Sequence, residues 1–242
     1  MAILTFGRMK VLGMIGGTSW HATIEYYKYI NEGVGREIGA QANPPLVLYS
    51  INIEVMRSMD RERIHSTYLD VSRKLEVAGA EAIVICANTP HMVYEFVQPQ
   101  IGIPILHIAR ATGQEAKRQQ LKTLGILGNK PTMTGHFIHD ILEQEFGIRT
   151  LVPEAVDQSH LYVSKELTQG IFSDAARTFY LEQIRALRQK GAEGIILGCT
   201  ELPLLLRESD TGLPLLSTTH LHAQMAVDFI LERDASGDTA ET

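Results

Sequence analysis

The chain has 242 residues, 45% of them hydrophobic and 21% charged, with a formal net charge of -6. This composition is typical of a globular protein, and its acidic balance argues against a general nucleic-acid or anionic-membrane surface. No apolar run reaches the roughly 18 residues that a transmembrane helix needs, and residues 1–10 lack the pattern of a signal peptide. We therefore predict a cytoplasmic protein with no nucleic-acid or membrane partner.

Short apolar runs alternate with segments of helical period along the chain. The predicted strands are Val11–Ile15, Leu46–Ile51, Ala82–Cys86, Pro104–His107, Thr123–Leu127, Arg149–Val152, Gly194–Gly198 and Leu213–Leu216. The predicted helices lie around residues 20–34, 61–78, 91–97, 109–119, 133–145, 158–168, 174–189 and 220–232. This alternation predicts an α/β protein with parallel sheets. The polar tail Asp234–Thr242 is predicted to be disordered.

An internal repeat divides this pattern into two halves. The segments Val11–Gly16 and Thr123–Gly128 are similar, and their glycines Gly13 and Gly125 lie 112 residues apart. Gly79 and Gly191 begin a second similar pair at the same spacing. We therefore predict two similar parallel-sheet α/β domains related by a pseudo-twofold axis, with a cleft between them. The first would comprise residues 1–108 plus 217–242, and the second residues 109–216. The alternative is that any α/β chain reuses such phrases.

The two cysteines of the chain occupy matched segments of this repeat. Cys86 lies in GAEAIVICANTPH and Cys199 in GAEGIILGCTELP. In parallel α/β domains ligands bind beyond the carboxyl ends of strands, where helix N-termini lower the pKa of a thiol from about 8.5. Across an interdomain cleft, one thiolate could remove a proton from a carbon acid while the other thiol returned one to the opposite face. The alternative is that both are merely buried apolar side chains.

Short polar residues follow both cysteines. Asn88, Thr89 and Thr200 would hold a carboxylate and stabilise the charge that develops as the α-proton leaves. Helix capping is the alternative role for these side chains.

Four segments together resemble the aspartate/glutamate racemase family, the cofactor-independent amino-acid racemases, and within it the bacterial broad-specificity branch. They are GMIGGTSWHATIEYYKYINEG from Gly13, Cys86-Ala87-Asn88-Thr89, Gly198-Cys199-Thr200-Glu201, and T-x-x-x-H-A from Thr218. The resemblance implies a two-domain α/β fold, an active site between the domains, and neither pyridoxal phosphate nor a metal. It also implies that Cys86 and Cys199 are the acid/base residues, that the substrate is a small molecule, an amino acid or a dicarboxylate, and that the protein is a homodimer.

Further site residues are expected with less support from the motifs. By analogy with the family, Gly17, Thr18 and Ser19 line the cleft, although they also fit a tight strand-to-helix turn. Asn52 would face the substrate side chain, and its neutrality weakens strict aspartate or glutamate specificity. Lys165 could bring a positive charge to the cleft, or could simply be solvated.

Three more residues are expected around the thiols. Glu201 could orient Cys199, while His91 and His222 could tune the thiols. Two other functions stay open at this point. One is another carbon-acid isomerase of the superfamily, such as a dicarboxylate cis-trans isomerase or a hydantoin racemase. The other is a non-catalytic two-lobed amino-acid-binding protein.

Overall fold

The computed structural model describes residues 8–233, so the predicted tail Asp234–Thr242 lies outside the described residues. The chain divides into two compact units. Unit 1 holds the chain up to His107 and again from His222, and unit 2 holds Ile108–Leu221. Unit 2 thus extends five residues beyond the end of the second domain predicted from the sequence.

Unit 1 contains a four-stranded parallel sheet. In chain order its strands are β1 Leu12–Gly16, β2 Leu46–Ser50, β3 Ala82–Ile85 and β4 Ile105–Leu106. They are arranged in the order β2-β1-β3-β4, which places β1 and β3 at the centre. The helices are α1 Trp20–Ile38, α2 Glu54–Arg57, α3 Arg61–Val77 and α4 Tyr94–Val97, with 3-10 turns at Thr89–Val93 and Gln98–Gln100.

The central strands of unit 1 are apolar because helices cover both faces of the sheet. Successive residues of a strand point to opposite faces. Ile83 and Ile85 accordingly join the cluster formed with α3. Ala82 and Val84 join the cluster that contains Tyr26 of α1.

Unit 2 repeats this arrangement with strands and helices of different lengths. Its strands are β5 Thr123–Gly128, β6 Arg149–Leu151, β7 Gly194–Gly198 and β8 Leu215–Ser217, all parallel and in the order β6-β5-β7-β8. Its helices are α5 Ile108–Arg118, α6 Lys130–Thr134, α7 His136–Phe146, α8 Val156–Lys165, α9 Asp174–Gln189, α10 Leu202–Leu205 and α11 Glu208–Thr211, with a 3-10 turn at Leu167–Gln169. The last helix, α12 Thr218–Ile230, begins in unit 2 and continues into unit 1.

Two parallel sheets with the same strand order confirm the predicted α/β class. The predicted helix at 133–145 is two helices, because the chain leaves helical geometry at Gly135 (ψ 142°). The predicted strand Leu213–Leu216 begins at Leu215, after Pro214, which has no N–H to donate to a ladder. Within residues 8–233, no helix combines the length and apolarity that crossing a membrane requires.

Candidate functional site

Cys86 lies at the carboxyl edge of the unit 1 sheet. It follows β3 directly, and its N–H donates to the carbonyl oxygen of Ile15 in β1 at 2.9 Å. Its side chain is 1% exposed and packs in the cluster that contains Met14 and Tyr26. Burial raises the pKa of the Cys86 thiol well above its usual value, because an apolar environment disfavours the thiolate.

Cys199 has the matching place in unit 2, directly after β7, but its surroundings differ. Its Sγ donates a hydrogen bond to Oε2 of Glu201 at 2.7 Å. The hydroxyl of Thr200 donates to the same oxygen at 2.8 Å. Burial, and next the negative charge of Glu201, raise the pKa of Cys199 well above its ordinary value.

The expectation of a lowered thiol pKa is therefore wrong for both cysteines. The backbone N–H groups of Glu201 and Leu202 do lower the pKa of Cys199, but burial and the carboxylate outweigh them. The helices after the two strands are also short: a 3-10 turn of five residues follows Cys86, and α10 has four. Neither provides the aligned peptide dipoles of a long helix.

The segment Gly17–Ser19 connects β1 to α1. Gly17 has φ +89°, and a Cβ there would lie 2.0 Å from the carbonyl oxygen of Ile51, so the turn requires glycine. The hydroxyl of Ser19 caps α1 by accepting from the N–H of Ala22 at 3.3 Å. Thr18 Oγ1 lies 2.8 Å from the hydroxyl of Tyr68. These residues thus form the strand-to-helix turn, and they lie at the same sheet edge as Cys86.

Asn88 and Thr89 follow Cys86 at this edge. Asn88 is 8% exposed, and its Oδ1 is buried without a hydrogen-bond partner. It makes no side-chain bond to the 3-10 turn that it precedes, so the capping role is not found for it. Thr89 begins that turn and is partly buried. The Asn88 oxygen is therefore an acceptor that a ligand could satisfy.

His91 and His222 lie in unit 1 and contact each other, with ring centroids 5.2 Å apart. His91 donates from Nδ1 to the carbonyl oxygens of Ala87 at 2.9 Å and Asn88 at 3.1 Å. Burial lowers the pKa of His91 to about 4 and that of His222 well below its ordinary value. Both imidazoles are therefore neutral at pH 7.

His222 makes its hydrogen bonds with groups other than the two thiols. Its Nε2 donates to the carbonyl oxygen of Leu106 at 2.7 Å, and its Nδ1 accepts from the hydroxyl of Tyr26 at 2.8 Å. A third buried histidine, His107, stacks edge-on against His91 at 4.7 Å. The sequence analysis placed His107 at the end of a predicted strand and not in the site, although a residue directly after β4 lies at the same sheet edge.

Asn52 and Lys165 are both exposed. The Oδ1 of Asn52 accepts from the N–H of Glu54 at 2.9 Å, which supports the first turn of α2. Lys165 is the last residue of α8, where the helix dipole stabilises a positive charge. Among residues 8–233, no group of three or more His, Cys, Asp or Glu side chains is arranged to hold a metal ion.

Two buried tyrosines were also missed by the sequence analysis. Tyr68 of α3 and Tyr180 of α9 are both fully buried, and they lie 112 residues apart, as Gly13 and Gly125 do. Burial raises the pKa of each phenol, and a side-chain hydrogen bond, to Thr18 for Tyr68 and to Ser159 for Tyr180, offsets part of that rise. Their shared offset in the repeat was the signal that could have identified them.

Comparisons with known proteins agree on one family. The sequence pattern of the family described as Asp/Glu/Hydantoin racemase matches residues 15–226. A crystal structure from Yersinia pestis assigned to the Asp/Glu racemases is 36% identical, with a TM-score of 0.86, over 92% of this chain and 100% of that one. An aspartate racemase homologue from Pyrococcus horikoshii OT3 is 31% identical, with a TM-score of 0.81, over 92% and 99%. The broad-specificity amino-acid racemase RacX of Bacillus subtilis (strain 168) is 22% identical over 91% of this chain and 98% of RacX.

Proposed function

The chain belongs to the Asp/Glu/Hydantoin racemase family, and from this premise we propose that it racemises an amino acid by means of two cysteine acid/base residues. One observation carries the proposal. Each unit places a cysteine directly after the third strand of its sheet, Cys86 after β3 and Cys199 after β7, and the two sheets have the same strand order. A duplicated thiol is what a reaction with one proton transfer on each side of a carbon requires.

In the proposed reaction one cysteine, as the thiolate, takes the α-proton from one face of the substrate carbon. The other, as the thiol, gives a proton to the opposite face, and the product is the mirror image. Reversing these roles runs the reaction in the other direction. The mechanism requires the two sulfur atoms to reach opposite faces of one carbon.

Glu201 fits the role of proton acceptor for Cys199. Its carboxylate accepts a hydrogen bond from the thiol, with Oε2 2.7 Å from Sγ, so Cys199 is ready to act as the acid. When Cys199 must act as the base, the same carboxylate is within reach to take that proton. Cys86 is packed among apolar side chains, so the ammonium group of a bound substrate would favour its thiolate.

We assign the substrate to the amino acids, either aspartate/glutamate-like or of broad specificity. Asn88, Thr89 and Thr200 are the proposed partners of the substrate carboxylate and ammonium groups, together with the Gly17–Ser19 turn. The exposed, neutral Asn52 supplies no cation for a side-chain carboxylate, which favours broad specificity. We further propose that the protein is a cytoplasmic homodimer and that it works without an added cofactor.

The proposal is tested by deuterium incorporation at the α-carbon of L- and D-amino acids in heavy water, with chiral chromatography of the products. We expect exchange with inversion for the unaltered protein. Cys86→Ser and Cys199→Ser should each lower racemisation by at least about 100-fold, the typical contribution of one general acid or base. Interconversion at the normal rate by Cys86→Ser would contradict the two-thiol assignment.

The family description also names hydantoins, which are therefore the second candidate substrate class. A 5-substituted hydantoin also carries an acidic carbon next to a carbonyl, and the same two thiols could invert it. Running the exchange assay on hydantoins in parallel separates the two substrates. Exchange with hydantoins alone would replace the amino-acid proposal.

A further inference from the structure

The tyrosines Tyr68 and Tyr180 occupy the same place in the two units, but they make different hydrogen bonds. Each belongs to the long helix that precedes a cysteine strand, α3 before β3 and α9 before β7. The hydroxyl of Tyr180 donates to the backbone carbonyl of Ser159 at 3.0 Å. The hydroxyl of Ser159 lies 3.2 Å from that of Tyr180 and donates to the carbonyl of Gly128, the last residue of β5, at 2.9 Å.

Tyr180 therefore connects α9 to α8 directly and, through the hydroxyl of Ser159, to the end of the central strand β5. Such bonds fix the core of unit 2 and involve no residue proposed to contact substrate. Tyr68 differs because its hydroxyl bonds to a side chain, that of Thr18, at 2.8 Å. Thr18 lies in the Gly17–Ser19 turn, which the proposed function places against the substrate.

The other bonds of this turn come from its own neighbourhood in the chain. The N–H of Gly17 donates to Thr23 at 3.0 Å, and the hydroxyl of Thr23 donates to the carbonyl of Ser19 at 2.9 Å. Thr23 belongs to α1, the helix that directly follows the turn, so these bonds are local. The bond between Thr18 and Tyr68 instead ties the turn to α3, a helix 50 residues further along.

The pairing of β1 with β3 determines where the Gly17–Ser19 turn lies relative to the Cys86 thiol. β1 and β3 are neighbours with Ile15 opposite Ile85, and the N–H of Cys86 donates to the carbonyl of Ile15. Cys86 is thus the first residue beyond β3, and Thr18 the second beyond β1, at one edge of one sheet. A movement of Thr18 would change the distance between substrate-holding groups and the reacting sulfur.

We infer that Tyr68 is a positioning residue for substrate binding, which acts through Thr18 to hold the Gly17–Ser19 turn at the Cys86 edge of the sheet. Tyr180, its counterpart in the repeat, serves the stability of unit 2. The inference rests on the proposed function for its link to substrate. Whether Tyr68 holds the turn can be tested without measuring enzyme activity.

The test uses Tyr68→Phe, Thr18→Val, the double variant, and Thr18→Ser, which keeps the hydroxyl. Tyr68→Phe removes one oxygen and keeps the ring that packs in the core. We expect Tyr68→Phe and Thr18→Val each to raise KM about five- to tenfold with little change in kcat, the effect of one lost neutral hydrogen bond. The double variant should be no worse than either single one. Thr18→Ser keeps the hydroxyl, so its KM should be lower than that of Thr18→Val.

Tyr180→Phe is the matched control. It should lower the midpoint of thermal unfolding and leave KM unchanged. If Tyr68→Phe behaves in the same way, or if the effects of Tyr68→Phe and Thr18→Val on KM add, Tyr68 is only part of the core and the inference is wrong.

A readout that needs no activity comes from Trp20, the single tryptophan of the chain, which follows Ser19 directly and is 61% exposed. Its fluorescence anisotropy decay should gain amplitude in the fast local component in Tyr68→Phe and Thr18→Val, and not in Tyr180→Phe. An unchanged decay in Tyr68→Phe overturns the inference. Absence of exchange in the unaltered protein with every amino acid would instead contradict the proposed function, while the decay would still decide whether Tyr68 holds the turn.

Discussion

Replacing Glu201 by Gln tests how the unit 2 thiol is kept protonated. In the structure the carboxylate accepts from Cys199 at 2.7 Å and from Thr200 at 2.8 Å. Gln has nearly the same shape, and its carbonyl oxygen has two lone pairs, so it can accept both hydrogen bonds. What the substitution removes is the negative charge that opposes a thiolate at Cys199.

The size of that effect follows from the short separation. Two unit charges about 4 Å apart interact with about 4 kcal/mol at an effective dielectric constant of about 20, and with about 1 kcal/mol in bulk water. Cys199 is only partly buried, so its interaction falls between these limits. We therefore expect Glu201→Gln to lower the pKa of Cys199 and to raise its thiolate fraction at a given pH about 10- to 100-fold, since a factor of ten corresponds to about 1.4 kcal/mol.

The assay is the rate of alkylation by iodoacetamide as a function of pH, because only the thiolate reacts. It is carried out in the Cys86→Ser background, so that the single remaining cysteine gives the signal. Glu182→Gln is the control, since it removes the same charge from an exposed position of α9. Its alkylation profile should match that of the parent.

Racemisation provides a second readout. The two enantiomers have equal free energy, so kcat/KM must fall by the same factor in both directions when Glu201 is replaced. We expect a loss of about 10- to 100-fold, below the full contribution of an acid/base group. Superimposable alkylation profiles with Glu and with Gln at position 201 would refute the reasoning, whatever the activity.

Two predictions concern stability. Gly17→Ala should cost at least about 3 kcal/mol in urea unfolding, because it adds a clash with the Ile51 carbonyl to an unfavourable φ of +89°. Gly79→Ala, with φ +91° and open space around the new Cβ, should cost only about 1 to 2 kcal/mol, and equal costs would contradict the clash. The pKa of His91 is about 4 in the folded protein, below its unfolded value of about 6.5, so the folded state binds fewer protons between these pH values. Stability should therefore be complete above pH 6.5 and fall by up to about 3 kcal/mol as the pH drops towards 4, and His91→Gln should flatten that slope in urea titrations at several pH values.

Apolar runs and helical periods were enough to predict the order of strands and helices. Gly194–Gly198 was predicted without error, since five buried residues leave a continuous apolar signal. The helices α2, α10 and α11 were not predicted, because four residues are about one turn and show no period. Such elements form only where tertiary contacts support them.

At the site, the sequence indicated which residues stand at the sheet edges, because strand ends can be recognised from the apolar runs. It could not give the thiol environment, which depends on packing between segments far apart in the chain. Cys86 is buried against residues of α1 and α12, such as Tyr26 and Ala223, and its pKa rises for that reason. The contact between Tyr68 and Thr18 depends in the same way on how α3 packs on the sheet.

A difference of one residue between the two cysteine segments explains why the thiols have different partners. β3 has four residues and β7 has five, since Gly198 precedes Cys199. Successive side chains alternate between the faces of a sheet, so a shift of one residue reverses the face. Cys86 accordingly continues the face of Ala82 and Val84, on the α1 side of its sheet.

Cys199 continues the face of Ile195 and Leu197, on the α9 side of its own sheet. Since α9 corresponds in the repeat to α3, the two thiols lie on opposite faces of equivalent sheets. One is therefore packed near Tyr26 and the other meets Glu201, although the two cysteine segments look alike in sequence. Two similar halves thus give two thiols with chemically different surroundings, and deleting Gly198 should move Cys199 to the other face and break its bond to Glu201.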